Sequence, residues 1–332
     1  MTPFASLADK AAIEAVGTWE QRQPVKTLYQ LVERSAKRFP NRNALSFQIT
    51  SGPKDKAETL TWAQLMGKVN QASNMFRRLG IGEDDVVAYL LPNANETAFT
   101  LLGGAIAGIV NPINPLLEAE QIGAILRETG AKVLVTLKAF PKTDVAQKAA
   151  EAVGHAPNVK TVLEVDLLHY LSPPKSWIVP FIRPKNPISH HAKILDFNRE
   201  LAKHRSDALD FADATTDRVA AYFHTGGTTG MPKGARHRYS GMIYQGWLSS
   251  ELLVSEEDVI VCPLPLFHVF AAYPVLMAAV SAGAHMVMPT PAGYRGDGVF
   301  DNFWKLIERW KGTFMVTVPT AAAALMQRPV DA

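Results

Sequence analysis

Only one cysteine, Cys262, occurs in 332 residues, so no disulfide can close within the chain, which suits a reducing cytosol. Neither sign of charge dominates. Thirty-four Lys and Arg stand against 31 Asp and Glu, and a net charge of +3 points to neither nucleic acid nor an anionic surface as the main partner. The opening "MTPFASLADKAAIEAVGTWEQRQ" lacks a basic stretch followed by an apolar core, so no secretory signal is read and a cytoplasmic location is expected. Long unbroken apolar runs are also lacking. "AFTLLGGAIAGIV" (Ala98 to Val110) is too short to cross a bilayer. "VFAAYPVLMAAVSAGAHMVM" (Val269 to Met288) is interrupted by Pro274, Ser281, Gly283 and His285, and reads as a buried helix, a glycine turn and a short strand. With 47% hydrophobic and 20% charged residues, the profile is that of a soluble globular protein with one large core or two.

What is present is an alternation of apolar strands and helices. "TLTWAQLMGKVNQASNMFRRLG" predicts a helix with Thr61 and Gln64 as a capping box, Leu65, Val69, Ala72, Phe76 and Leu79 on one face, and Gly80 as its stop. Strands are predicted at Asp85 to Pro92, Lys132 to Thr136 and Val159 to Val165. Helices are predicted at Glu96 to Ile109, with Gly104 and Gly108 spaced for close packing, at Glu118 to Glu128 before Gly130, and at Thr143 to Ala152. Apolar strands separated by helices mean a parallel sheet in an α/β domain. Residues 166–217 break the rhythm. Their "YLSPPKSWIVPFIRPKNPISHHAKI" carries five prolines, which read as preventing a regular amphipathic helix and leave a surface loop or a patch against a lipid interface. The alternation resumes with "VAAYFH", a helix at Tyr239 to Leu253, "DVIVCPLP", a helix at Phe270 to Ser281, "HMVMP", a helix at Val299 to Trp310, and "TFMVTVP". Thr320 to Met326 begins another helix, and a chain that stops inside an α/β repeat is expected to be a fragment.

Between the strand "VAAYF" and the next helix stands "HTGGTTGMPKG", His224 to Gly234. A turn leaving a strand can aim several backbone N–H groups at one point and so bind an anion. Gly226, Gly227 and Gly230 give the backbone freedom this needs, Thr225, Thr228 and Thr229 add hydroxyls, and Lys233 adds a mobile positive charge. The composition is that of a phosphate cradle at the carboxyl end of a parallel strand. It is not a Walker A loop, because Met231 and Pro232 follow Gly230, and the dinucleotide spacing G-x-G-x-x-G is absent.

The run is similar to the phosphate-binding signature of the adenylate-forming superfamily: acyl-CoA synthetases, adenylation domains of peptide synthetases, and luciferases. The common form is Thr-Ser-Gly-Thr-Thr-Gly-x-Pro-Lys-Gly, and Gly226 at the Ser position resembles fatty-acyl-CoA ligases. "PLPLFHVFAAYPVLMAAVSAGA" (Pro263 to Ala284) and "LLPNANETAFTLLGGAIAGIVNPINP" also resemble family segments. The likeness covers most of residues 20–332 apart from 166–217. One departure is "RHRYSG" after the lysine, where His237 and Arg238 are read as a solvated helix start.

The resemblance implies an α/β fold of stacked, mostly parallel sheets flanked by helices, truncated before a C-terminal domain. Residues 1–80 would pack on a second subdomain, 81–225 would form the first with 166–217 as an irregular insertion, and 226–332 the incomplete second. The implied reaction uses ATP and Mg2+ to turn a carboxylic acid, fatty or otherwise hydrophobic, into an acyl-adenylate, then coenzyme A to give the thioester. Thr225, Gly226, Gly227, Thr228, Thr229, Gly230 and Lys233 would hold the β- and γ-phosphates. Thr229 would touch the metal, Lys233 would act in catalysis, and His268 would sit beside the acyl and adenylate pocket. The implied partners are the acid and the chain's own C-terminal domain, while the residues themselves leave a membrane surface near Trp177 to Phe181 as a further partner and the balanced charge leaves no nucleic acid. Tyr-Gly-x-Thr-Glu and Thr-Gly-Asp motifs do not occur, and "YRGDG" (Tyr294 to Gly298) reads as a loop. The chain alone is therefore expected to be inactive. The alternative is a non-catalytic nucleotide- or acyl-binding protein that retains only the phosphate loop.

Overall fold

The computed structural model describes residues 4–185, 188–225 and 233–330. Three helices open the chain: α1 (Leu7–Ala15), α2 (Trp19–Arg22) and α3 (Leu28–Arg38). Only α3 among them buries a face, with Leu28, Leu31 and Val32 inward. The hairpin of β1 (Asn43–Gln48) and β2 (Ala57–Thr61) runs into α4 (Trp62–Arg78). The predicted capping box forms: Thr61 Oγ1 accepts from the Gln64 N–H at 3.3 Å, and Gln64 Oε1 accepts from the Thr61 N–H at 2.9 Å. Leu65, Val69, Ala72 and Phe76 are buried, as their spacing requires.

The α/β alternation follows: β3 (Val86–Leu90), α5 (Asn95–Ala107), β4 (Ile109–Pro112), α6 (Ala119–Thr129), β5 (Val133–Leu137), α7 (Val145–Gly154) and β6 (Thr161–Val165). Then come α8 (Lys175–Ile182), β7 (Lys193–Asp196), α9 (Phe197–Leu201) and β8 (Val219–Thr225), with β9 (Lys233–Arg238) beyond. The last stretch holds α10 (Tyr239–Leu252), β10 (Val259–Val261), a π-helical turn at Ala271–Met277 that continues as α11 (Ala278–Ala282), and β11 (His285–Pro289). It closes with α12 (Val299–Trp310), β12 (Phe314–Met315) and α13 (Pro319–Met326).

These strands make two sheets. The seven-stranded sheet has the order β7-β6-β5-β3-β4-β8-β9, and the five-stranded sheet the order β12-β10-β11-β1-β2. Every pairing is parallel except β8 with β9 and β1 with β2. All thirteen residues of α5 are buried, and the helix touches β1 of one sheet and β3, β4 and β8 of the other. Apolar character on every side fits a helix enclosed in this way. Gly104 and Gly108 approach β4 and the turn before β3, where a Cβ would meet Val110 Cγ2 at 3.2 Å and Asp85 O at 2.5 Å. The close helix-to-helix approach falls instead to Gly103, whose Cβ would stand 2.6 Å from Ala72 Cβ on α4.

Two expectations from the sequence differ from the structure. First, residues 166–217 are not wholly irregular: α8 forms despite Pro180 within it, and β7 extends the seven-stranded sheet in parallel with β6. Tertiary fastening outweighs local propensity here. Val179 is buried, and Arg183 at the end of α8 binds both oxygens of Asp166 at 3.0 Å and the Ala139 carbonyl at 2.7 Å. Second, Arg236, His237 and Arg238 belong to a strand, and α10 starts only at Tyr239. Exposed and half-buried residues alternate from Gly234 to Arg238, the period of an edge strand rather than of a helix. β9 pairs back onto β8 in an antiparallel hairpin.

Candidate functional site

The hairpin of β8 and β9 frames the glycine-rich run. Its register pairs Thr225 with Lys233, His224 with Gly234 and Phe223 with Ala235. The run therefore leaves and re-enters the sheet at neighbouring positions. Gly226, Gly227, Thr228, Thr229 and Gly230 lie outside the described residues, as do Met231 and Pro232. Lys233 is the first residue of β9 and is exposed. Gly234 is extended, and a Cβ there would meet His224 Cε1 at an ordinary 3.7 Å, so packing does not demand glycine at that position. Because β8 runs parallel to β4, and β4 to β3, Thr225 stands at the carboxyl edge of the sheet.

The five-stranded sheet brings its own carboxyl edge to the same place. Asn93, buried just after β3, donates from Nδ2 to the Leu264 carbonyl and accepts at Oδ1 from the Leu266 N–H, both at 2.9 Å. Its own N–H donates to the Pro291 carbonyl at 2.9 Å, and the Tyr89 hydroxyl donates to the Leu266 carbonyl at 2.7 Å. Leu264 and Leu266 lie beyond the end of β10, and Pro291 beyond the end of β11. One asparagine thus joins the strand ends of both sheets.

His268 follows two residues after this clamp. It is exposed, and its Nδ1 accepts from the Phe270 N–H at 3.2 Å, which assigns the ring proton of the neutral form to Nε2. Its carbonyl accepts from the Ala271 and Ala272 N–H groups, so His268 opens the π-helical turn. That turn packs against the hairpin. Tyr273 lies edge-on to Phe223 of β8 and His237 of β9, with centroids 5.2 and 5.0 Å away. The segment that carries His268 and the strands that carry Thr225 and Lys233 therefore share one aromatic base. Burial depresses the His237 pKa, so that ring is neutral and acts in packing. Burial also pushes the Cys262 thiol up to about 12, which rules out the sole cysteine as a nucleophile.

Sequence reasoning missed the polar groups that hold this edge. Asn111, fully buried on β4, donates from Nδ2 to Thr129 Oγ1 at 3.3 Å and pairs through Oδ1 with His224 Nε2 at 2.9 Å. Glu96, in the first turn of α5, is a buried carboxylate that accepts from the Tyr170 hydroxyl at 2.8 Å and from Asn198 Nδ2 at 2.9 Å. His169 Nε2 stands 3.3 Å from it. Burial pushes the Glu96 carboxyl up, but His169 and Asn198 outweigh it and hold the pKa below the usual value. His169 is raised, Glu96 overcoming the effect of its own burial. The pair fastens residues 166–201 to the start of α5. Asp297 of "YRGDG" is an exposed residue that pairs with Lys142 at 2.8 Å. Among the described residues no group of three or more His, Cys, Asp or Glu is arranged to hold a metal ion.

Comparison with known proteins places this edge in context. The family described as AMP-binding enzyme matches residues 32–332. The chain is 30% identical over 323 residues to marinolic acid–CoA ligase of Pseudoalteromonas sp. strain SANK 73390, covering 94% of this chain and 45% of that protein. It is 26% identical over 306 residues to crotonobetaine/carnitine–CoA ligase of Proteus mirabilis strain HI4320, covering 92% and 53%. The chain spans about half the length of these curated relatives. Its fold matches the crystal structure of the anthranilate CoA ligase AuaEII in complex with anthranoyl-AMP, with a TM-score of 0.70 at 22% identity, covering 93% of this chain and 54% of that one.

Proposed function

The chain belongs to the AMP-binding enzyme family, and from that premise we propose that it holds the nucleotide in an ATP-dependent acid–CoA ligase. The observation that carries this reading is the β8–β9 hairpin, which sets Thr225 opposite Lys233 at the carboxyl edge where the His268 segment also arrives. In this reading Thr225, Gly226, Gly227, Thr228, Thr229, Gly230 and Lys233 surround the β- and γ-phosphates. An oxygen of the acid's carboxylate attacks the α-phosphorus, the bond to the β-phosphate oxygen breaks, and pyrophosphate leaves. Backbone N–H groups and the Lys233 ammonium neutralise the charge that gathers on the departing group. His268, with its proton on Nε2, donates to an oxygen of the acid or its adenylate. The thiolate of coenzyme A then attacks the acyl carbon and AMP departs, giving a thioester. Thr229 is the candidate protein contact for magnesium. It lies outside the described residues, and the ion would enter with ATP as part of the substrate.

The apolar π-helical turn at Ala271–Met277 beside His268 supports a hydrophobic acid as substrate.

Calorimetry with Mg·ATP tests the site directly. Lys233→Ala should weaken binding about ten- to a hundredfold, the worth of one charge-assisted contact to phosphate. Unchanged affinity would remove the phosphate role. Pyrophosphate exchange with a panel of fatty acids should proceed in a longer chain that carries the later motifs and not in this one. Binding without exchange in the longer chain would favour the non-catalytic alternative.

A further inference from the structure

α8 carries a concentrated apolar surface that none of the described residues covers. Trp177, Ile178, Phe181 and Ile182 are 67%, 50%, 89% and 58% exposed, while Val179 alone on this helix is buried. Their spacing puts the four on one face of the helix. Single exposed apolar side chains are ordinary, but a face of four with two aromatics is not. The charge around it is equally biased. From Leu167 to Leu195 the chain has Lys175, Arg183, Lys185 and Lys193 and no Asp or Glu, in a protein with 31 acids in 332 residues. Arg183 is engaged with Asp166 and fastens α8 to the body. Lys175 and Lys185 are exposed and enter no ion pair among the described residues. The near-neutral whole chain therefore conceals a local patch that is both apolar and basic.

We propose that α8 docks the protein on an anionic lipid bilayer, lying in the interface with Trp177, Ile178, Phe181 and Ile182 towards the acyl chains and Lys175 and Lys185 at the headgroups. Aromatic rings favour the headgroup boundary, and lysine stems bury their methylenes while the ammonium meets phosphate. A helix of eight residues is about 12 Å long, enough to lie in the interface and far too short to span it. A second copy of the chain is a poorer occupant, because pairing two such faces would bring four lysines together with no acid in the segment to answer them. The docking would also place the substrate edge near the membrane. Asp166 leaves β6 and Thr225 ends β8 at the same carboxyl edge, since the intervening strands are parallel. The inference rests on α8 alone and does not depend on the adenylation reading.

Sedimentation of the purified chain with sucrose-loaded vesicles tests it, using phosphatidylcholine alone and an equal mixture with phosphatidylglycerol. Sedimentation should require the mixed vesicles and weaken with salt. Trp177→Ala combined with Phe181→Ala should lower the partition coefficient about tenfold or more, and Lys175→Gln and Lys185→Gln about fivefold each. All four side chains are exposed, so unchanged thermal melting of the variants will show that folding is intact. The proposal is overturned if the parent chain stays in the supernatant with both vesicles, or if the aromatic double variant sediments like the parent. It is also overturned if ultracentrifugation shows a dimer that the aromatic variant converts to monomer.

Discussion

At the scale of single residues, several decisive side chains act far from their sequence neighbours. Asn93 joins two sheets through Leu264 and Leu266, and Glu96 gathers Tyr170, His169 and Asn198. Nothing in the flanking sequence announces these partners. His285 is a similar case with a measurable consequence. It is buried on β11, its Nε2 is 2.7 Å from Ser46 Oγ on β1, and burial drives its pKa down to about 4. The unfolded chain, with an ordinary histidine near 6.5, takes up the proton more readily. The stability tied to His285 is therefore complete above pH ~6.5 and falls as the pH drops towards 4, by about 3 kcal/mol in all. Urea unfolding at pH 7 and at pH 4.5 should show a smaller loss in His285→Phe than in the parent chain. Ser46 keeps Thr59 as a partner at 2.7 Å, so the variant should still fold. An equal loss in both chains would count against the assignment.

At the scale of elements, helix ends explain more than helix interiors. The Thr61–Gln64 box was readable because both partners lie within one turn. The carboxyl end of α5 was not readable, because its cap comes from beyond residue 200. Arg218 donates to the Ala105, Ile106 and Gly108 carbonyls at 2.8, 2.9 and 2.7 Å, and its guanidinium lies over the Tyr239 ring. A planar cation with several donors can satisfy these carbonyls together and answers the negative end of the helix. Arg218→Met should lower stability by about 3 kcal/mol or more, read as a fall in the urea midpoint at constant slope. Arg218→Lys should fall in between, since one ammonium cannot reach all three acceptors. A midpoint unchanged in the methionine variant would show that the carbonyls find other partners. The same lesson covers α8 and β9, where an ion pair and a hairpin partner overrode the local signals of proline and charge.

At the scale of the whole molecule, the two sheets are not independent. One buried cluster runs from Leu28 on α3 through Val87 on β3 to Met286 on β11, with α5 between the sheets. Neither sheet can lose its packing without exposing the other's. Thermal unfolding should therefore be a single transition, coincident by far-ultraviolet circular dichroism and tryptophan fluorescence. Two separated transitions would show that the sheets form distinct units. The sequence by itself determined the α/β alternation, the parallel character of the sheets and the glycine- and threonine-rich composition of His224 to Gly234. Those features are written in local periodicity and in residues adjacent along the chain. Only the tertiary structure decided that β1 and β2 join the later sheet, that Thr225 faces Lys233 across a hairpin, and that Asn93 brings both carboxyl edges to one site. The hairpin closes over eight residues, but the β1–β11 pairing and the Asn93 clamp join partners 241 and 171 residues apart, and such pairing is set by which faces can be buried together rather than by any signal carried in a single stretch.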